Sequence, residues 1–289
     1  MPDLSKVVAQ TKLRVEKARA RYGAVDIAVR TFKRFSEDDG GFYAAALTYY
    51  VFFSIFPMLI FGTAVLGFVT DVYPSVQEDL LERSFDSFPL INTIIDEEVL
   101  AGVQRAAGRL ALLSVVLALY SGTGAVVALG HALNKIHRVE DEGNVLVKRL
   151  DALKWLALFS VAVLGSLAIT SAAGFVPALS DLLVFLVGLA LNVLIFLIAF
   201  KFLPRMDRSW KDVLPGALIA GAVFEVLKYF GTVYLDRGAA ARSATFGAFA
   251  TAAGLLVASY LLSQVTLLAA EVNAVLAERR LTRQSLLEG

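Results

Sequence analysis

Two ionisable residues three positions apart, Glu225 and Lys228, interrupt an otherwise apolar stretch, GALIAGAVFEVLKYFGTVYLD, at residues 216–236. The i,i+3 spacing puts them on neighbouring ridges of one helix face. Counted from Val213, Glu225 lies ~18 Å along a helix, close to the centre of a bilayer. A charge there costs ~2.5–3.5 kcal/mol or more and is placed where it faces a bundle interior, a wet cavity or a partner. A proton or ion pathway and a structural ion pair are both open readings of this pair. A second irregularity lies in residues 42–70, FYAAALTYYVFFSIFPMLIFGTAVLGFVT, where Pro57 follows Ser54. Proline removes one helical hydrogen bond and frees a carbonyl four residues back, and a nearby hydroxyl can satisfy such a group in a membrane. The third is Ser121-Gly122-Thr123-Gly124. Its small residues allow close helix approach and its hydroxyls can bond across helices. Gln264, Glu271 and Asn273 form a polar series on the last apolar stretch. Glu271 is expected near the interface, capping a helix end or pairing with Arg279 or Lys201.

Other chemistries lack their residues. There are no cysteines, which removes disulfides, thiolate metal sites and thiol nucleophiles. The two histidines, His131 and His137, are six apart and project from different sides of a helix. They read as interfacial polar residues, and neither a metal nor another cofactor is expected. No nucleophile–base set stands out, so an enzyme is not expected. Net charge is +1, and the basic residues are not interleaved with aromatics, so no nucleic-acid partner is expected.

The elements that would position these residues are membrane helices. The chain is 57% hydrophobic with mean hydropathy +0.68. That exceeds a soluble domain's apolar content, so lipid is the expected second solvent. The reading is an all-α, polytopic six-transmembrane-helix bundle. Its spans are about 42–70, 110–130, 155–176, 182–203, 213–235 and 246–275, within a domain at 42–276. Residues 1–41 form basic amphipathic interfacial helices, with Ala24, Ile27, Ala28, Phe32 and Phe35 on one side and Asp26, Arg30, Lys33 and Arg34 on the other. Residues 71–108 form a small, acidic, helical extracytoplasmic cap, and 277–289 a tail. Small residues in the fifth span (Gly216, Ala217, Ala220, Gly221) and the sixth (Ala250, Gly254, Ala258) predict close packing of those two helices on a polar seam. The short join between spans three and four predicts an antiparallel hairpin.

Lysine and arginine count nine in residues 1–41, five in 131–154, four in 201–212 and three in the tail. Against them stand three in 71–109 and two in 236–246. Positive charge marks the cytoplasmic side, so both termini are expected there, in a multi-pass protein of a prokaryotic plasma (inner) membrane. The first 41 residues lack a signal-peptide apolar core, so the first span is expected to serve as the membrane signal.

Four segments, ALTYYVFFSIFPMLI, the small-residue turn running into ALNKIH, GALIAGAVFEVLKYF and TFGAFATAAGLLVASYLLSQVTLLAAEVNAV, resemble in order and spacing the YihY/BrkB family of six-span prokaryotic inner-membrane proteins, once labelled ribonuclease BN. The resemblance covers about residues 30–280. Phe246-Gly247 stands where the family often has Tyr-Gly, and Ala269-Ala270-Glu271 where it often has Gly-Ala-Glu. The resemblance implies the six-helix fold and cytoplasmic termini, and it brings no agreed activity. The expected function is a transporter or exporter with a mid-membrane cavity of Ser54, Pro57, Ser121, Thr123, Glu225 and Lys228, and with Gln264 and Glu271 toward the cytoplasmic mouth. Membrane lipids are expected partners, and the cargo is a small solute, ion or lipid. The alternative is a non-transporting scaffold for envelope assembly. A homo-oligomer is left open.

Overall fold

The fold is taken from a computed structural model, which describes residues 16, 19, 21–54, 97–140, 144–173, 181–239 and 247–288. Most of the described residues lie in seven helices: α1 (Gly23–Glu37), α2 (40–54), α3 (Glu97–Ile136), α4 (Val145–Ala173), α5 (Asp181–Phe202), α6 (Trp210–Ala239) and α7 (Gly247–Glu288). Pro57 and residues 71–96 of the expected cap lie outside the described residues, as does the join at 174–180.

Local chemistry sets the helix ends. Asp26 in the first turn of α1 and Arg34 in its last turn complement the helix dipole. Asp39 takes a left-handed φ of 56°, which aspartate tolerates, and its carbonyl then accepts from the amides of Phe42 and Tyr43 to open α2. The ring of Phe35 packs over Gly40 at this corner, in space a Cβ would occupy. At the end of α3, Arg138 is left-handed at φ 55°, and Val139 N–H reaches back to the Asn134 carbonyl, which closes the helix without a glycine. Asn144 caps α4 through its side-chain oxygen, 2.9 Å from the Leu146 amide.

Three helices among the described residues contain stretches long and apolar enough to cross a membrane: Val116–Ile136, Phe185–Phe202 and Ala252–Leu287. Large apolar side chains face outward from them, including Leu117, Tyr120, Phe185, Leu186, Leu256 and Val257. Such a continuous apolar exterior needs lipid, because water would penalise it at ~25 cal/mol per Å². The buried core sits at the end of the bundle where α1 docks. It joins Ala44 of α2 and Leu133 and Ile136 of α3 to Phe200 of α5, Val213 and Ala217 of α6, and Leu267 and Ala270 of α7. Many core residues are alanine, so helix backbones approach closely and dispersion does the work that water expulsion does in soluble proteins. α6 packs against both α5 and α7, α1 lies on α7, and α3 contacts α4 and α7.

Candidate functional site

The predicted site residues divide into a group expected at mid-depth and a group at the α1 end. In the mid-depth group, Ser54 is buried and its hydroxyl donates to the Val51 carbonyl at 2.7 Å. Thr123 is also buried, with its hydroxyl donating to the Leu119 carbonyl at 2.5 Å. Both hydroxyls therefore serve carbonyls one turn back on their own helices. The small-residue turn does act in packing: Tyr50 of α2 lies over Gly124, where a Cβ would collide with its ring, and Leu156 of α4 fills the space beside Gly122. Ser121 is half-buried.

Glu225 on α6 is half-buried and accepts a 2.5 Å hydrogen bond from the side-chain amide of Asn192 on α5, itself 6% exposed. Asn192 lies ten residues before Phe202, ~15 Å from the end of α5. The amide and carboxylate therefore meet midway along α5, between adjacent helices. Asn192 was not singled out from sequence. An asparagine in LVGLALNVLIFLIAF is a legible signal, since an amide in hydrocarbon needs a partner. The Lys228 side chain lies outside the described residues.

The second group centres on Glu271, whose side chain is fully buried. Its partner is neither Arg279 nor Lys201, as expected, but Arg34 at the end of α1, with Nε 3.2 Å from Oε2. The same guanidinium donates to Glu278 and, at 3.0 Å, to the Ile136 carbonyl that ends α3. Arg34 thus ties α1 to both α7 and α3. Burial works against its charge, but Glu278, Glu271 and Asp38 outweigh it and hold its pKa above the usual arginine range. Among the described residues, the buried Glu271 Oε1 and Asp38 Oδ2 have no hydrogen-bond partner. Lys201 instead pairs with Asp207, and Arg279 pairs with Asp26. Asp26 also accepts from Arg19 at 2.9 Å and Arg30 at 2.8 Å. Burial raises its pKa, but these arginines prevail and set it below the usual value. Gln264 stands apart from this cluster, donating to the Tyr260 hydroxyl at 2.7 Å.

Arg34 falls on the polar side of α1 by periodicity, and no local pattern implies its burial. The complementary spacing was present: Asp26 and Arg34 repeat over eight residues on one face, and Glu271, Glu278 and Arg279 repeat over a matching face of α7. What faces outward on α1 is Phe32, 64% exposed.

The polar seam between α6 and α7 is present with its own chemistry. Asn273 Oδ1 accepts from the Gly216 amide at 2.6 Å, and its Nδ2 donates to the Val213 carbonyl at 3.2 Å. These groups flank Pro215, which lies inside α6 and supplies no N–H. Gly216 is required here, because a Cβ would run into the Ala269 carbonyl and the Asn273 side chain. On the other side of α6, Gly221 abuts Val193 of α5. Ala258 of the expected α7 ridge instead points outward. His137 Nδ1 lies 3.0 Å from the Arg208 guanidinium. Burial first, then the charges of Arg208 and Arg34, push His137 down to about 3.

The model of the family described as Virulence factor BrkB matches residues 31–288. Among relatives, the inner membrane protein YhjD of Escherichia coli is 27% identical over 266 residues, 84% of this chain and 78% of that protein. The ribonuclease-like protein YfkH of Bacillus subtilis is 27% identical, with 86% and 94% covered. A UPF0761 membrane protein of Legionella pneumophila is 26% identical over 89% of this chain and 64% of its own length. No solved structure matches. None of these names carries a catalytic function beyond the ribonuclease-like label. With an apolar exterior, membrane-length helices and a match over nearly its whole length, this chain is a membrane protein of the BrkB family.

Proposed function

We propose that this protein is a prokaryotic inner-membrane transporter or exporter, with six spans, cytoplasmic termini and no enzymatic activity. It moves a small solute, ion or lipid past a mid-membrane site of Ser54, Pro57, Ser121, Thr123, Glu225 and Lys228. Gln264 and Glu271 lie toward the mouth. The observation that supports the reading is the meeting of Glu225 with Asn192 midway along α5. A carboxylate placed there has a large desolvation cost, and such residues mark ion and proton routes through membranes. The test reconstitutes the purified chain in proteoliposomes and follows proton, sodium and fluorescent-phospholipid flux. Glu225→Gln keeps an oxygen acceptor for Asn192 but removes the charge, and it is expected to abolish the flux that the parent supports. If the parent carries a flux that Glu225→Gln leaves unchanged, the pathway role is wrong.

A scaffold for envelope assembly is the second reading, favoured by the α1 latch, in which Asp26 and Arg34 pin an amphipathic helix to α7 while Phe32 faces outward. It predicts that removing residues 1–23 abolishes function in cells while Glu225→Gln does not.

A further inference from the structure

Where α1 docks on α7, two buried acids share one guanidinium. Glu271 of α7 is 0% exposed, and Asp38, just past the end of α1, is 8% exposed. The Asp38 amide donates to the Arg34 carbonyl at 2.7 Å, so Asp38 lies one helical turn beyond Arg34. Arg34 Nε in turn meets Glu271 Oε2 at 3.2 Å. The Asp38 carboxyl comes within hydrogen-bonding reach of Glu271 and acts on the Arg34 charge as well. Among the described residues, Glu271 Oε1 and Asp38 Oδ2 nevertheless have no donor. We propose that Glu271 and Asp38 hold one proton between them at neutral pH, which makes this corner a buried proton-binding site that fastens α1 to α7. The inference does not rest on the transport reading, and its tests read spectra and stability rather than flux.

Hydrogen bonding and charge lead to the same occupant. Ionised carboxylates are acceptors only, so two of them side by side leave each other unsatisfied. Arg34 balances one, and the second would remain as excess charge away from water, where its desolvation is costly. Carboxylates that share a dry site do not both ionise, and the pair keeps a proton. That proton turns one acid into a donor to the other and leaves one guanidinium against one carboxylate. It belongs to the pair rather than to either residue. A metal cation takes about six oxygen ligands, whereas Arg34 already occupies one Glu271 oxygen and adds its own positive charge. A bridging water would serve the oxygens but leave the excess charge in place.

The groups around the pair do not supply the missing charge. Arg208, before α6, and Arg280 of α7 stand against Glu278 and Asp212, two charges against two. Glu278 is also 57% exposed, so solvent screens it. His137, at the end of α3, lies against Arg208 and is neutral above about 3. Lys201 of α5 is taken by Asp207. Apart from its tyrosines, α2 carries no titratable side chain.

Carboxylic acids in an unfolded chain ionise above ~4. At neutral pH the folded chain therefore holds a proton that the unfolded chain lacks, and stability falls as pH rises. The test is infrared difference spectroscopy of the full chain in detergent at neutral pH, parent minus Asp38→Asn and parent minus Glu271→Gln. Each variant puts an amide where the protonated acid stands, able to donate to the carboxylate that remains. The parent is expected to show the carbonyl stretch of a protonated carboxyl, shifted in deuterium oxide, and both variants to lose it. Glu278→Gln, at the exposed acid, should keep it. As pH is raised above neutral, the parent should lose about tenfold at most in folding equilibrium constant per pH unit, and Asp38→Asn should lose far less. Thermal unfolding at neutral pH checks that each variant folds. Either folded variant decides, and the parent's own pH-dependent melts decide if neither folds. Difference spectra without a protonated-carboxyl band, or parent melts that do not weaken as pH rises, overturn the proposal and leave an ionised pair bridged by water or a cation.

Discussion

Arg34→Met tests whether the buried Arg34–Glu271 pair locks α1 to the bundle. The side chains are 10% and 0% exposed, so the pair is shielded from water and salt. Removing the guanidinium strands a buried carboxylate, which costs ~3–5 kcal/mol. Two further contacts go with it. The bond to Glu278 adds little, because that side chain is 57% exposed and screened, and such pairs are worth ~0–1 kcal/mol. The bond to the Ile136 carbonyl adds ~1.5 kcal/mol at most, part of it already counted in the pair. A loss of ~3–5 kcal/mol corresponds to a fall in Tm of roughly 6–20 °C for a domain of this size. Thermal unfolding in detergent, followed by circular dichroism and by the fluorescence of Trp155 and Trp210, measures it. Glu271→Leu alone should also destabilise, since it leaves Arg34 buried without its partner. Arg34→Met/Glu271→Leu replaces both charges by apolar groups and should recover most of the loss, giving a coupling of ~2 kcal/mol or more. Single variants within ~0.5 kcal/mol of the parent, or additive effects in the double, would refute a structural role for this pair.

Other outcomes follow from the same network. His137 has its folded pKa depressed to about 3 from 6.5, so only the unfolded chain takes up its proton between those values. Stability should therefore fall as pH drops from about 6.5 toward 3. The slope is ~1.4 kcal/mol per pH unit at most, and about half that for a half-buried ring; His137→Gln should flatten it in pH-dependent melts. Asp26 has its folded pKa below 3.8, so its contribution is present above that value and lost as pH falls through the depressed one. Asp26→Asn should reproduce the acid effect at neutral pH, read as faster amide exchange across residues 23–37. Gly216→Ala drives a Cβ into the Ala269 carbonyl and should cost ~1–3 kcal/mol of thermal stability. Asn273→Leu strands the buried Gly216 amide and should cost a similar ~1–3 kcal/mol. If either change is silent, the α6–α7 seam is looser than described.

Some of this was legible because it is local or compositional. Apolar runs longer than a bilayer is thick imply membrane helices whatever their arrangement. Small residues with Asn273 on the last span pointed to a close, polar α6–α7 contact, where Gly216 meets Ala269 and Asn273 while Ala258 points outward. The partner of Glu271 was not legible. Arg34 lies 237 residues away in sequence, and periodicity says which residues share a face but not which face of which helix it meets. The same holds for Asn192 and Glu225, 33 residues apart on different helices.

The sequence by itself determined the solvent and the material of this protein. Its hydropathy exceeds what a water-soluble core can absorb, its runs are helix-length, and its segments carry the family's order. The tertiary structure alone decided the partners: Arg34 with Glu271, Asn192 with Glu225, and Asn273 with the backbone beside Pro215. The physical reason is that a polar group in an apolar setting must be satisfied somewhere. Burial fixes that need from the residue type, but only the packing of helices distant in sequence chooses the group that meets it.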